Sequence, residues 1–125
     1  MILDTNALSA IADAEPGAVA MLNRGTEVML PVIAVGEYWY GIKQSRYRAK
    51  CEEWILRMIS KCRVLDVDMR TAEASADIRV ELRRKGQPIP YNHIWIAALG
   101  RQHDLPILGR DRHYDAVSGI LRISW

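Results

Sequence analysis

The sequence predicts a single α/β domain in three layers, with a central parallel sheet flanked by helices. Short apolar runs alternate with longer segments of helical periodicity, as in parallel sheets whose strands are joined by helices. The 125 residues contain no repeat, linker or low-complexity tract, so one domain spanning 1–125 is expected. Hydrophobic residues make up 50% of the chain and charged residues 26%, which is typical of globular rather than disordered proteins.

Five short apolar runs are the predicted strands of the sheet. Each run is bounded by residues that cap helices or turn the chain, which limits its length. In an α/β protein such runs pair in parallel and are buried by helices on both faces. The predicted strands cover residues 2–3, 27–30, 63–67, 106–108 and 121–123.

The first three predicted helices lie in the first half of the chain. The first follows Asp4, whose side chain can accept orphan backbone N–H groups, and the Pro16-Gly17 pair breaks it. The second starts at Pro31, because proline fits the first position of a helix. The third carries one apolar stripe and ends near Cys62.

The last two predicted helices have clearer boundaries. One covers 69–85 and is followed by Gly86, the residue preferred after a last helical turn. The other opens at Tyr91-Asn92 and is apolar nearly all round over 94–99. A helix of that composition is expected to be buried.

Composition excludes several classes of protein. The two cysteines, Cys51 and Cys62, fit no metal-ligand spacing and are too few for a disulfide scaffold. No apolar run is long enough to span a membrane, and the first residues lack the features of a secretory signal. We therefore expect a reduced, cytoplasmic protein without a membrane partner. The net charge of +2 excludes a histone-like protein but allows a local basic face.

Three acidic residues are the candidates for chemistry. Asp4 directly follows the first strand, Asp111 lies three residues after Leu108, and Glu37 is flanked by apolar residues in a helix. Each has an ordinary explanation, as a helix cap, a turn residue or a salt-bridge partner. Ligands of open α/β sheets, however, bind beyond the carboxyl ends of the strands. Carboxylates gathered there repel each other unless a cation lies between them, and oxygen ligands favour Mg²⁺ or Mn²⁺.

Three other kinds of chemistry find little support. The sequence has no phosphate-binding glycine loop and no serine nucleophile elbow. A phosphate-transfer receiver domain would also gather acids at strand ends, but it needs a lysine on a later strand exit. The last lysine of this chain is Lys85. A cation site therefore explains the acids best.

Four segments, in order along the chain, surround these acids. They are MILDTN at 1–6, GEYWYGI at 36–42, PIPYNHIWIAA at 88–98 and ILGRDRHY at 107–114. None is decisive alone, but their order and spacing are specific. Together they resemble the motifs of PIN-domain ribonucleases, in particular the VapC-type toxins of bacterial toxin–antitoxin pairs.

The resemblance implies a metal-dependent endoribonuclease toxin that hydrolyses RNA phosphodiester bonds. It implies that Asp4, Glu37 and Asp111 are catalytic and bind Mg²⁺ or Mn²⁺. It also implies that three polar neighbours orient the site and its water. These neighbours are Thr5, Asn6 and Asn92.

The same resemblance implies two protein partners. One is a cognate VapB-type antitoxin whose carboxy-terminal segment lies along a groove of the toxin, and the other is a second copy of the chain in a homodimer. Apolar residues of the early elements could build either the core or such an interface, and both alternatives stay open. These residues are Met29, Val32, Trp39 and Trp54.

One position departs from the family pattern. An acidic residue normally follows the asparagine of the third segment, whereas this chain has His93 among its catalytic candidates. Histidine offers one nitrogen in place of two oxygens, which Mn²⁺ and Zn²⁺ accept more readily than Mg²⁺. Three interpretations stay open: His93 has no role, it binds metal with a changed preference, or it weakens or abolishes activity. The last leads to the alternative function, an inactive PIN-like module that binds RNA or antitoxin without cleavage.

Basic residues are expected to ring the acidic site, because RNA must be drawn to it electrostatically. Aromatic side chains could stack on bases of single-stranded RNA, and Tyr38, Tyr40, Tyr91 and Tyr114 are the candidates. Aromatic residues at helical spacing are, however, more often part of a core. The basic candidates for RNA binding are Lys43, Arg46, Arg48, Arg110, Arg112 and His113.

Overall fold

The computed structural model describes residues 1–125 and has the predicted α/β sandwich architecture. Its five strands are β1 (Ile2–Leu3), β2 (Met29–Pro31), β3 (Arg63–Leu65), β4 (Ile107–Leu108) and β5 (Arg122–Ile123). They form one parallel sheet in the order β3-β2-β1-β4-β5. Ile2 pairs with both Met29 and Ile107, so β1 lies at the centre of the sheet.

Six α-helices and one 3-10 helix connect the strands. The longest helix begins with a capping box between Asp68 and Thr71 and ends at Gly86, whose φ of 66° suits glycine. No helix has the length and apolar composition needed to cross a membrane. The helices are α1 (Thr5–Ala12), α2 (Pro16–Leu22), α3 (Val32–Lys43), α4 (Arg48–Lys61), α5 (Met69–Lys85), α6 (Tyr91–His103) and the 3-10 helix (Arg112–Ala116).

A separate hydrophobic core lies on each face of the sheet. Successive strand residues point to opposite faces, so Leu3 packs with residues of α1 to α4, whereas Ile2 packs mainly with residues of α5 and α6. Ile96 and Leu99 of α6 are fully buried, as the apolar composition of that helix predicts. Each such side chain stabilises the fold by about 1.5–3 kcal/mol.

The structure corrects several predicted boundaries. The chain does break before Pro16, but Pro16 also starts α2, a helix that was not predicted. Proline is favoured at this first helical position because its missing N–H would have no partner there. Pro31 closes β2 instead of opening a helix, and α3 begins at Val32. The 3-10 helix was not predicted, and the strands outside β1 differ from the predicted ranges by one or two residues at their ends.

Candidate functional site

The candidate site lies beyond the carboxyl ends of β1 and β4, which are neighbours in the sheet. From β1 the chain proceeds to β2 and β3 on one side, and β4 and β5 occupy the other side. Ligands of open α/β sheets bind where the strand order reverses in this way. Asp4 follows β1 directly, and Asp111 lies three residues after β4. The topology therefore places both acids at the same edge of the sheet.

Asp4 is a buried carboxylate, with 1% of its surface exposed. Its Oδ1 accepts hydrogen bonds from the Thr5 N–H at 2.7 Å and the Tyr114 hydroxyl at 2.9 Å. Its Oδ2 accepts one from the Asn6 amide at 2.5 Å. Burial raises the pKa of Asp4, while the donors from Tyr114 and Thr5 oppose this rise by stabilising the ionised form. The side chain is thus fixed in one orientation by three donors.

Gly109 allows the loop after β4 to pass close to Asp4. A Cβ atom at this position would lie 3.0 Å from the Asp4 Cβ and 3.1 Å from its Oδ2. The backbone N–H of the next residue, Arg110, donates to the Asn6 Oδ1 at 3.0 Å. Asn6 therefore links Asp4 to the loop that carries Asp111.

Glu37 is held by donors from two other helices. The Thr5 hydroxyl donates to its Oε2 and the Asn92 amide to its Oε1, each at 2.5 Å. Thr5 thus contacts two acids, because its N–H binds Asp4 and its hydroxyl binds Glu37. These donors explain how the apolar helix α3 accommodates a carboxylate. The structure therefore brings Thr5, Asn6 and Asn92 into contact with the acids.

Asp111 directly contacts two histidines. Its Oδ2 is 2.7 Å from the His93 Nε2, and its Oδ1 is 2.7 Å from the His113 Nδ1. Potential ligand atoms of these three residues lie within 4.8 Å of one another, and this close group includes neither Asp4 nor Glu37. Burial alone would raise the pKa of Asp111, but the His113 N–H and the two imidazoles outweigh it and lower that pKa.

Tyr114 connects the two halves of the site. Its ring is fully buried and lies edge-on to the His93 ring, with centroids 5.3 Å apart, while its hydroxyl donates to Asp4. Of the two alternatives for Tyr114 and Tyr38, the core is the one observed, because both side chains are buried and out of reach of bases. No sequence pattern predicts the contact of Tyr114 with Asp4, since only the fold brings the two residues together. Tyr40 and Tyr91 are exposed.

The basic candidates differ in what they already contact. Arg110 pairs with Glu15 and lies over the Trp125 ring, 4.3 Å from its centroid. Arg48 pairs with a glutamate of its own helix. Arg112 is exposed next to Asp111 and makes no ion pair. Lys43 and Arg48 border the same cleft between α3 and α4, and Arg46 lies over the ring of Tyr47.

Comparisons with known proteins match nearly the whole chain. The family model for the PIN domain matches residues 1–120. The chain is 29% identical over 129 residues to the tRNA(fMet)-specific endonuclease VapC of Shigella flexneri, covering 99% of this chain and 96% of that protein. It is also similar to DNA-bound VapBC from Salmonella typhimurium, with a TM-score of 0.90, 27% identity and coverage of 99% and 96% of the two chains. FitAcB from Neisseria gonorrhoeae gives a TM-score of 0.84, 26% identity and coverage of 98% and 95%.

The family match spans nearly the whole chain, so it shows the family directly. It includes all four segments on which the resemblance was based, from MILDTN at 1–6 to ILGRDRHY at 107–114. The relatives with VapC in their names are matched over almost their full length. The resemblance seen in the sequence is confirmed: the chain belongs to the PIN domain family.

Proposed function

We propose that the chain is a metal-dependent endoribonuclease that hydrolyses RNA phosphodiester bonds. The observation that carries this proposal is the placement of Asp4, Glu37 and Asp111 around one edge of the sheet, where polar neighbours fix each carboxylate. The edge is the one at which open α/β sheets bind their ligands. The Shigella flexneri relative is named an endonuclease, which supports the same reaction class for this chain.

The donor set fits a hard divalent cation. The carboxylates of Asp4, Glu37 and Asp111 provide only oxygen atoms, the ligands that Mg²⁺ and Mn²⁺ prefer. The Asp4 Oδ2 and both Glu37 oxygens each accept a single protein hydrogen bond, which leaves each a free lone pair. When bound, such a cation lowers the pKa of water and stabilises negative charge on the phosphodiester oxygens.

The protein's own side chains position the reacting groups. Asp4 is sealed from solvent, whereas Glu37 and Asp111 are only half-buried, so water and substrate approach the site from the side of these two acids. Thr5 and Asn92 hold Glu37 in place while charge develops on the phosphate. Preorganisation of this kind lowers the barrier because no rearrangement is needed during the reaction.

RNA would reach the site across basic and aromatic surface. Arg112 extends into solvent beside Asp111, and Tyr40 and Tyr91 expose most of their surface. We assign phosphate attraction to Arg112 and base stacking to Tyr40, because the Arg79 guanidinium already lies over the Tyr91 ring, 4.8 Å from its centroid. Arg110 has a structural role instead, because Glu15 and Trp125 already occupy its guanidinium.

We further propose a VapB-type antitoxin and a second copy of this chain as protein partners. Several neighbours in fold are toxin–antitoxin complexes, among them the VapBC structure from Salmonella typhimurium. Met29 belongs to the core, whereas Val32 is 41% exposed and free to join an interface. We also propose a cytoplasmic location, because RNA substrates are found there and because free cysteines such as Cys51 and Cys62 stay reduced there.

One observation favours a second candidate function, an inactive PIN module that binds RNA or antitoxin. The His93 Nε2 lies 2.7 Å from the Asp111 Oδ2, so the imidazole occupies the side of Asp111 that a cation would use. The acid found at this position in the family would instead add an oxygen ligand. Measuring whether the protein cleaves RNA distinguishes the ribonuclease from the inactive binding module.

The proposed reaction is tested by restoring metal to stripped protein. Protein treated with chelator is expected to leave a mixed tRNA pool intact, and addition of Mn²⁺ or Mg²⁺ is expected to produce defined fragments on a denaturing gel. Mn²⁺ should give the higher rate, because it tolerates the neighbouring imidazole better than Mg²⁺ does. Cleavage that persists in excess chelator would contradict metal dependence, and no cleavage with either ion would favour the inactive module.

A further inference from the structure

We propose that His93, Asp111 and His113 form a site for a borderline transition-metal ion, with Zn²⁺ as its representative. The site shares Asp111 with the proposed Mg²⁺ or Mn²⁺ site, but its other ligands are two imidazole nitrogens in place of the oxygens of Asp4 and Glu37. It goes beyond the ribonuclease proposal, because binding at these three side chains requires neither RNA nor cleavage.

The potential ligand atoms lie close together. The Nε2 of His93 and the Nδ1 of His113 each lie 2.7 Å from an oxygen of Asp111, and the ligand atoms of all three residues lie within 4.8 Å of one another. Neighbouring ligands of a tetrahedral zinc ion, with bonds of 2.0–2.2 Å, lie about 3.3 Å apart. The two 2.7 Å contacts use different oxygens of Asp111, so the ligand atoms would have to shift by up to about 1.5 Å to surround one ion. Three protein ligands plus one open position is the arrangement of many zinc sites.

The surrounding structure holds these side chains in place. The His93 ring packs against the rings of His113 and Tyr114, with centroid distances of 5.2 and 5.3 Å. The Nδ1 of His93 is buried without a hydrogen-bond partner, so ring packing and the contact of Nε2 with Asp111 orient this side chain. Asp111 is oriented by the His113 N–H, which donates to its Oδ1 at 2.9 Å. The His113 side chain is 47% exposed, which gives an ion access from solvent.

The chemistry of the group selects the metal. Imidazole nitrogen binds Zn²⁺ well, whereas Mg²⁺ strongly prefers oxygen and retains its water ligands. His93 lies in the first turn of α6, where the helix dipole disfavours a cation. The carboxylate of Asp111 offsets this effect with a full negative charge at hydrogen-bonding distance from the ring.

Zinc titration of the full, metal-stripped chain tests the proposal. Isothermal titration calorimetry with ZnCl₂ alone is expected to show one high-affinity ion per chain. His93→Ala and His113→Ala are each expected to weaken that affinity by roughly tenfold or more, because each removes one of three ligands. His103→Ala is the matched control, since His103 ends α6 outside the group, and its affinity is expected to stay within about twofold of the parent.

His93→Ala removes a mostly buried side chain and could prevent folding. His113→Ala then still tests the proposal, because about half of the His113 side chain is exposed and its removal leaves the core intact. Circular dichroism of each metal-free variant confirms folding before titration. Equal zinc affinity in the parent and in folded His113→Ala would overturn the proposal, and so would a parent that binds no Zn²⁺. Both thiols, Cys51 and Cys62, are present in every variant, so a difference between variants reports the histidines. The titration contains no RNA, so it tests the zinc site independently of the cleavage experiment that tests the proposed ribonuclease activity.

Discussion

Replacing Glu37 by glutamine is expected to lower the rate of RNA cleavage by roughly a hundredfold or more without disturbing the fold. The substitution removes the negative charge but retains the shape of the side chain. Asn92 can still donate to the remaining carbonyl oxygen, and the Thr5 hydroxyl can turn to accept from the new amide. Single-turnover cleavage with Mn²⁺ gives the rate, and the thermal unfolding midpoint reports the fold.

Glu53→Gln is the matched control for this experiment. Glu53 is an exposed acid on α4 that pairs only with Arg57 at the surface, and an exposed pair contributes little to stability. The control variant is expected to cleave RNA at the parent rate. A Glu37→Gln protein that also cleaves at the parent rate would exclude this carboxylate from the site.

Replacing His93 by aspartate is expected to raise the Mg²⁺-dependent cleavage rate by roughly tenfold or more. The new carboxylate would add an oxygen ligand and remove the imidazole that lies 2.7 Å from Asp111. Without metal, two neighbouring carboxylates repel each other, so the variant is expected to unfold at a lower temperature than the parent. Added Mg²⁺ should recover much of that loss, since an ion that binds only the folded state stabilises it.

His93→Asn separates charge from size in the same position. Asparagine is polar and close in size to aspartate but cannot supply a negative charge, so it is expected to give no gain in rate. A rate equal to that of the parent in His93→Asp would show that the histidine does not limit activity. Comparable gains in the aspartate and asparagine variants would instead attribute the effect to removal of the imidazole.

Much of the fold follows from local sequence patterns. Apolar runs separated by helical periodicity predict the parallel sheet, and capping residues locate α1 and α5 closely. The helix α2 was not predicted, because the Pro16-Gly17 pair was interpreted as the end of a helix. Proline is also favoured at the first position of a helix, and Pro16 starts α2 in this way. Strands of two or three residues are too short for their ends to be fixed by periodicity alone.

The candidate site was only partly predictable. The position of Asp4 after a strand and the four-segment pattern identify the acids. Neither shows which side chains each acid contacts. The association of Asp111 with two histidines, and the bond from Tyr114 to Asp4, depend on how the loop after β4 folds back. Gly109 is needed only because that loop passes close to Asp4. Such requirements arise between segments that are distant in the chain, where no local pattern records them.

Anomalous scattering from crystals of the protein soaked in Mn²⁺ would locate the ion relative to the three carboxylates. We expect a Mn²⁺ peak at the edge formed by β1 and β4, coordinated by oxygens of Asp4, Glu37 and Asp111. Crystals in which Mn²⁺ binds elsewhere, while these three carboxylates keep only their protein and water contacts, would contradict it.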